Sequence, residues 1–127
     1  MNNQIVSAII TTKNEEKNIG RLMESIKKQT YSPVEIIVVD NNSMDQTKKQ
    51  ASKFTKMVYN FGPERSAQRN FGAKKSSGEF LLFLDADMEL SPNVIKECID
   101  TISKDKKIGA VVIPEQSVGR GFWERVK

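Results

Sequence analysis

The sequence contains no histidine and a single cysteine, Cys98. Without histidine, neither an imidazole-based catalytic triad nor a zinc site with histidine ligands can form, and one thiol cannot supply a thiolate cluster. A lone cysteine also excludes a disulfide within the chain, which is the usual pattern in a reducing compartment. Any metal site must therefore be built from oxygen ligands.

The sequence also lacks the run of roughly 20 apolar residues that would span a bilayer, and its mean hydropathy is -0.48. Its first four residues, Met-Asn-Asn-Gln, do not have the charged-then-apolar layout of a signal peptide. We therefore expect a cytoplasmic protein without a transmembrane segment, with peripheral attachment to the inner face of the membrane as an alternative. A length of 127 residues, 38% of them hydrophobic, fits one globular domain.

Basic residues are in slight excess, giving a net charge of +4, but they are scattered among 16 acidic residues. There is no long basic run with interleaved aromatic residues, so we do not expect nucleic acid as a partner. The loop at residues 11–15 has no glycine, which excludes a dinucleotide fingerprint or a P-loop there.

Apolar runs rich in β-branched residues predict strands at 5–10, 34–39, 56–59, 80–84 and 109–114. Helices are predicted between these strands, at 19–26, 43–53, 62–75 and 91–102, and the tail after Gly119 has the pattern of a turn and the beginning of a helix. Alternating strands and helices imply right-handed crossovers and a parallel sheet covered on both faces. Such sheets bind ligands beyond the carboxyl ends of their strands, where residues 11–15, 40–45 and 85–87 gather.

Asp85-x-Asp87 leaves the most apolar strand at its carboxyl end. Two neighbouring carboxylates repel each other and are costly unless a cation or hydrogen bonds compensate them. A hard divalent ion, Mg²⁺ or Mn²⁺, fits oxygen ligands and also accepts phosphate oxygens of a substrate. The structural alternative makes Asp85 a turn residue and Asp87 a solvated one.

Other polar residues have two interpretations each. Asp40 could accept hydrogen bonds from a ribose or a base, or it could cap its own loop. Glu15 could contact a ligand or form a capping box with Thr12. Arg65 and Arg69 share one helix face, where they could bind a diphosphate or remain solvated. We expect four further side chains in the core: Phe71, Phe80, Phe83 and Cys98.

Four segments together resemble the nucleotide-sugar half of inverting glycosyltransferases of family 2, which have the GT-A fold. They are Ala-Ile-Ile-Thr-Thr-Lys-Asn-Glu-Glu at 8–16, Val-Val-Asp-Asn-Asn-Ser at 38–43, Arg-Asn-Phe-Gly-Ala at 69–73 and Phe-Leu-Asp-Ala-Asp at 83–87. The order and spacing match the family over nearly the whole chain to about Pro114. The resemblance implies an α/β fold, a Rossmann-like three-layer sandwich around a mainly parallel sheet.

The resemblance also implies a donor site for a nucleotide-diphosphate sugar, built from Thr11, Lys13, Glu15, Asp40, Arg69, Asp85, Ala86 and Asp87. Asp40 would hold the base, Arg69 would lie near the nucleotide, and Asp87 together with Asp85 would coordinate Mg²⁺ or Mn²⁺. The family often has Pro and Tyr where Thr11 and Lys13 stand, which argues against base stacking at position 13.

The implied reaction is metal-dependent transfer of a sugar to an acceptor that the sequence does not identify: a polysaccharide, a lipid or a protein glycan. In the family a later acidic pair supplies the general base, whereas after Pro114 only Glu115 and Glu124 occur, so no base is assigned. We therefore expect one domain in which residues 1–114 bind the donor, residues 115–127 begin the acceptor side, and the C-terminal half is truncated.

Two alternatives belong to other functional classes. The chain could be a non-catalytic nucleotide-sugar-binding fragment that completes its fold as a homo-oligomer. It could also be a phosphatase of the haloacid dehalogenase type, whose nucleophile motif is Asp-x-Asp after an apolar strand. That motif prefers Thr or Val where Glu89 stands, and it belongs on the first strand rather than the fourth.

Overall fold

The computed structural model describes residues 4–104, and the backbone of 110–112 and 124–126. Strands and helices alternate as the sequence predicts. The strands are β1 (Val6–Thr12), β2 (Val34–Asp40), β3 (Val58–Asn60), β4 (Phe80–Asp85), β5 (Ala110–Val112) and β6 (Glu124–Val126). The helices are α1 (Ile19–Lys27), α2 (Thr47–Ser52), α3 (Arg65–Lys75) and α4 (Val94–Lys104). Within these residues, none of the helices has the length and apolar character needed to cross a membrane.

The main sheet has four parallel strands in the order β3-β2-β1-β4. The central strand, β1, pairs with β2 and β4, so that Thr11 lies between Val39 and Asp85 and Thr12 lies beside Asp40. Since all four strands run in the same direction, their carboxyl ends meet at one edge of the sheet. The three polar loops of the predicted donor site therefore lie next to one another.

Helices pack on both faces of this sheet and form the three-layer α/β sandwich that the sequence predicts, although one face of β4 stays uncovered. On one face, α1, α2 and α4 bury a core that includes Ile10, Val38, Leu22 and Val94. On the other face, α3 packs through Phe71 against the second side-chain row of β1 and β2. Successive side chains of a strand point to opposite faces of the sheet. Because β1 and β2 are continuous apolar runs, they present apolar side chains to the helices on both faces.

Cys98 lies on the buried face of α4, as predicted. Burial, with the neighbouring Glu97 as a second cause, raises the pKa of its thiol to about 12. The thiolate is the reactive form of cysteine, so this side chain is a packing element and not a nucleophile.

The outer face of β4 differs from the prediction of a sheet covered on both sides. Leu81 is 43% exposed and Phe83 is 44% exposed, so the expectation that Phe83 is a core residue was wrong. The physical reason is that α3 lies over β1 and β2, whereas β4 is the edge strand beyond it.

Beyond α4, the predicted fifth strand forms as β5 but does not join the parallel sheet. It pairs antiparallel with β6 in a separate two-stranded sheet. The prediction that the tail begins a helix was therefore wrong at 124–126. A helix of so few residues is marginal in water, and pairing with a strand satisfies the same backbone groups.

At the amino end of the sheet, far from the predicted site, Glu35 joins β2 to the start of β4. Its carboxylate accepts hydrogen bonds from the Ser7 hydroxyl at 2.6 Å and from the Ser77 amide at 3.0 Å. Partial burial raises the pKa of Glu35, but these hydrogen bonds outweigh it and lower the pKa below its ordinary value. The cluster is structural, since every polar group named here has a partner.

Candidate active site

A cavity of about 330 Å³ opens at the carboxyl edge of the sheet. Six of the eight predicted donor-site residues line it: Thr11, Lys13, Glu15, Asp85, Ala86 and Asp87. Asp40 and Arg69 are not among its lining residues. The carboxyl ends of β1 and β4 thus form the cavity as the sequence predicts, and the β2 end contributes through Asn41 instead.

The turn that carries the two aspartates is held from both sides. The Asp85 amide approaches the sulfur of Met88 at 3.4 Å, and the Met88 amide donates to the Asp85 carbonyl at 3.1 Å. Helix α1 fixes the end of the turn, because the Ser25 hydroxyl accepts a hydrogen bond from the Leu90 amide at 3.0 Å. Asp87 remains exposed, so its carboxylate is free to bind a ligand.

A single cation approaches the aspartates from α3. Arg65 Nη1 lies 3.8 Å from Asp85 Oδ1, and the two side chains are 64% and 44% exposed. An exposed pair of this kind contributes little to stability. Its consequence is electrostatic, because it places a guanidinium beside the carboxylates where an anionic ligand would enter.

Asp40 takes the structural role that was the alternative to base binding. It is fully buried and accepts hydrogen bonds from the Ser43 amide at 2.7 Å and from the Ser43 hydroxyl at 2.5 Å. Lys48 Nζ lies 4.0 Å from the same carboxylate. In this conformation Asp40 caps its own loop, and a base could reach it only if the Ser43 contacts were exchanged.

The loops after β1 and β2 are bonded to each other. The Asn14 amide donates to the Ser43 hydroxyl at 2.7 Å, and the Asn14 side chain accepts from the Met44 amide at 2.8 Å. Asn14 adopts φ 52° to make both contacts, a left-handed conformation that asparagine tolerates better than most residues. The Glu15 amide donates to the Thr47 hydroxyl at 2.8 Å. These hydrogen bonds hold the two loops together, and both loops contribute residues to the cavity lining.

This interlocking explains why neither predicted capping box forms. Helix α1 begins at Ile19, after a turn, so Thr12 and Glu15 do not frame its start. Glu15 instead accepts a hydrogen bond from the Asn18 side chain at 2.9 Å. The second box fails for the same reason, since the Ser43 hydroxyl accepts a hydrogen bond from the Asn14 amide while the Gln46 amide donates to Glu16.

Asp45 adds a further contact between the two loops. The Thr47 hydroxyl and amide both donate to its carboxylate, and the Glu16 amide donates to it at 3.2 Å. The Thr47 side-chain hydrogen bond is the main cause that lowers the pKa of Asp45, with the backbone amides adding to it. Asp45 therefore keeps the negative charge that holds the two loops together.

The sequence did not identify every residue of the cavity. Gln68, on α3, is buried, and its side-chain nitrogen donates to the Val39 carbonyl at 2.8 Å and to the Thr12 carbonyl at 3.5 Å. It bridges the ends of β1 and β2, and it lies one helical turn after Arg65. The helical period could have identified Gln68 from the sequence, because positions 65 and 68 lie on the same side of α3, the side that faces the sheet.

Two hydroxyls in the cavity wall lack hydrogen bonds. The side-chain oxygens of Thr11 and Thr12 are buried and have no partner among the described residues, and each residue is only 5% exposed. Most buried polar groups in folded proteins are paired, so each exception calls for an explanation.

The aspartates are the available ligands for a metal ion. Among residues 4–104, no group of three or more histidine, cysteine, aspartate or glutamate side chains is close enough to hold a metal by itself. Mg²⁺ usually keeps several waters and binds through one or two carboxylates together with substrate phosphates. The pair Asp85 and Asp87, open to solvent, fits that donor set.

Comparisons with known proteins agree on one family. The family model described as Glycosyl transferase family 2 matches residues 7–127. Glycosyltransferase AglE of Haloferax volcanii is 37% identical over 107 residues, covering 77% of this chain and 35% of that protein. The chain therefore spans about a third of the length of this curated relative.

Solved structures give the same result. TarS of Staphylococcus aureus, in complex with UDP-GlcNAc, superposes with a TM-score of 0.69 at 32% identity, over 78% of this chain and 31% of that one. A mannosyltransferase from Pyrobaculum calidifontis, in complex with GDP-Man and Mn²⁺, has a TM-score of 0.76 at 21% identity, over 86% of this chain and 35% of that one. The second similarity concerns the fold alone.

Proposed function

The chain belongs to glycosyl transferase family 2, and on that basis we propose that its cavity binds a nucleotide-diphosphate sugar and a divalent cation for transfer of the sugar to an acceptor hydroxyl. The observation that carries the proposal is the convergence of Asp85, Asp87 and Arg65 with the ends of β1 in one cavity. The phosphatase alternative has no support, since the two aspartates lie at the carboxyl end of β4 and not of the first strand.

The two aspartates and Arg65 supply complementary charges for a diphosphate. We propose that Asp87 and Asp85 hold Mg²⁺ or Mn²⁺, which when bound would neutralise phosphate oxygens. Arg65 would donate to the same diphosphate from the α3 side, since a guanidinium presents its donors in a fork that matches phosphate geometry. Electrostatic stabilisation of a departing anion is usually the largest catalytic contribution.

The loops after β1 and β2 would receive the nucleoside. They contribute Lys13, Glu15 and Asn41 to the cavity lining. Glu15 could accept a hydrogen bond from a ribose hydroxyl, because one of its oxygens already takes the Asn18 contact and the other is open. We propose a uracil nucleotide first, since the TarS relative at 32% identity was crystallised with UDP-GlcNAc.

The reaction breaks the bond between the anomeric carbon and the diphosphate oxygen, and forms one to the acceptor oxygen. Inversion requires that the acceptor attack from the opposite face of the sugar, where a general base removes its proton. We assign no described acidic residue to that role. The predicted acceptor-side segment, 115–127, lies outside the described residues except for the backbone of β6.

Calorimetric titration tests the proposal. UDP-GlcNAc, UDP and GDP are titrated into the chain with 5 mM MnCl₂ or with EDTA, at about 100 mM salt so that charge contacts are not fully screened. We expect binding of at least one nucleotide, and we expect EDTA to weaken it. If none of the three nucleotides binds under either condition, the proposed function is wrong.

Arg65 and Arg69 make a matched pair for a prediction about the diphosphate. Arg65→Ala should weaken UDP binding by about tenfold, since a charge-assisted hydrogen bond to phosphate contributes roughly 1.5 kcal/mol or more. Arg69→Ala, four residues further along α3 and outside the cavity lining, should change it by less than about twofold. The same calorimetric titrations compare the loss of UDP affinity in the two variants. A larger loss in Arg69→Ala would favour the position of Arg69 near the nucleotide that the family resemblance implies.

A further inference from the structure

Gln68 attaches the first turn of α3 to the sheet. It is 4% exposed, and its side-chain nitrogen donates to the Val39 carbonyl at 2.8 Å, at the carboxyl end of β2. The other residues of that turn, 65–67, are exposed or half-buried. The close apolar contacts of α3 with β1 and β2 come one turn later, at Phe71 and Gly72. A hydrogen bond from Gln68 therefore holds the part of α3 that precedes this apolar packing.

The start of α3 lacks the usual capping side chain. Within residues 4–104, Glu64 occupies the N-cap position without a side-chain capping hydrogen bond, which is the common way to satisfy the first amides of a helix. The backbone amide of Gln68 closes the first turn on the Glu64 carbonyl at 3.0 Å. Just before the helix, the Asn41 side chain donates to the Pro63 carbonyl at 3.2 Å, in an exposed position. The Gln68 side-chain contact is shorter and buried, and hydrogen bonds are stronger away from water.

Arg65 depends on this turn for its place beside Asp85. Positions 65 and 68 are three residues apart and lie on one side of the helix. The Arg65 side chain is 64% exposed, with its Nη1 3.8 Å from Asp85 Oδ1. Surrounding side chains therefore restrain the guanidinium little, and the position of its backbone decides where the charge lies. That backbone belongs to the turn that Gln68 fastens to β2.

We propose that Gln68 is a positioning residue for the diphosphate. Its hydrogen bond to the Val39 carbonyl fixes the first turn of α3 at the edge of the sheet, and this places Arg65 where it meets the phosphates. The inference rests on the proposed function and adds to it a residue that acts through Arg65 and not by touching the ligand. Methionine would fill nearly the same volume and suits a helix, but it has no group that could donate to the carbonyl.

A double-mutant cycle of Gln68→Met with Arg65→Ala tests the proposal. In the wild-type background, Gln68→Met should weaken UDP binding in Mn²⁺ by about fivefold, which stays within the tenfold loss expected for Arg65→Ala because Gln68 acts through that residue. In the Arg65→Ala background, the same substitution should change UDP affinity by less than about 1.5-fold, since two residues that act as one unit are not additive. Calorimetric titration of UDP into the four proteins measures the cycle.

Gln29→Met is the matched control, because Gln29 is also a tethering amide. Its side-chain nitrogen donates to the Ser91 carbonyl at 2.6 Å and its oxygen accepts from the Ile95 amide at 3.0 Å, outside the cavity lining. Gln29→Met should lower the melting temperature, yet UDP affinity should change by less than about twofold, as expected for a distant and independent site. A loss of UDP affinity confined to Gln68→Met therefore separates positioning from general stability.

Three results would overturn the proposal while leaving the proposed function intact. They are unchanged UDP affinity in Gln68→Met, an equal loss with and without Arg65, which would mean that Gln68 contacts the ligand itself, and an equal loss in Gln29→Met. If Gln68→Met does not fold, Gln68→Asn, which is one methylene too short to reach Val39, goes through the same cycle with the same expectations. Failure of the proposed function has a different signature, since the wild type itself would then bind none of UDP-GlcNAc, UDP and GDP.

Discussion

Replacing Asp87 by asparagine is expected to weaken Mn²⁺-dependent binding of UDP by roughly 100-fold, the upper end of losses seen even for outer-shell partners of metal ligands. Asparagine keeps the size of the side chain but removes its charge, and hard cations bind charged oxygen more tightly than amide oxygen. Binding that remains in EDTA should be unchanged, because Asp87 is proposed to act only through the cation. Titration of UDP with and without MnCl₂ measures both quantities.

Glu89→Gln makes the same change of charge two residues further along the chain. Glu89 is exposed, pairs with Arg21 at 3.8 Å and does not line the cavity. Its substitution should change UDP affinity by less than about twofold, as is typical of an exposed charge. An equal loss in both variants would mean that net negative charge near the turn, and not coordination by Asp87, attracts the cation.

Much of the fold follows from the sequence because its signals are local. The apolar runs of β1, β2 and β4 predict buried strands, and alternation with helices predicts the parallel sheet. The same topology predicts that residues 11–15 and 85–87 meet at one edge, which the cavity confirms. Each of these steps needs only the period of the apolar residues and the right-handed crossover rule.

The contacts that pattern reasoning missed are between segments far apart in the chain. Ser43 and Glu15 have local partners at capping-box spacing, but the structure pairs Ser43 with Asn14 and Glu15 with Thr47, about 30 residues away. In each case a hydrogen bond within the capping box and one to a distant residue require the same group, the Ser43 hydroxyl or the Glu15 amide. The sequence does not show which of the two hydrogen bonds forms. The exposed face of β4 was missed for a similar reason, since helix spacing does not reveal which strands α3 covers.

The proposed donor site shows the same division between residue type and residue position. The family pattern predicts Asp85, Asp87 and Arg69 from their motifs, but it does not show which arginine of α3 faces the two carboxylates. That choice depends on where the helix begins. Because α3 starts at Arg65, its first residue lies at the open end of the sheet beside Asp85, and Arg69 lies one turn further from it.

The position of α3 depends on a close approach between Gly72 and the sheet. A methyl group added at Gly72 would lie 2.5 Å from Ile9 Cγ2 and 3.3 Å from Val39 Cγ2. Both neighbours are fully buried side chains of β1 and β2, so neither can move into solvent. Gly72→Ala should therefore reduce the free energy of unfolding by about 1–3 kcal/mol, the usual cost of overpacking a core.

Gly20→Ala is the control, since a methyl group added at Gly20 in α1 would meet no atom within 4 Å. Relief of the poor helix propensity of glycine should raise the stability of that variant by up to about 1 kcal/mol. Urea unfolding followed by circular dichroism measures both changes. Because Arg65 and Gln68 lie on the helix that Gly72→Ala pushes away from the sheet, UDP affinity should fall in that variant and not in Gly20→Ala. A Gly72→Ala protein as stable as the wild type would contradict the packing of α3 on β1 and β2, and with it the placement of Arg65 beside Asp85.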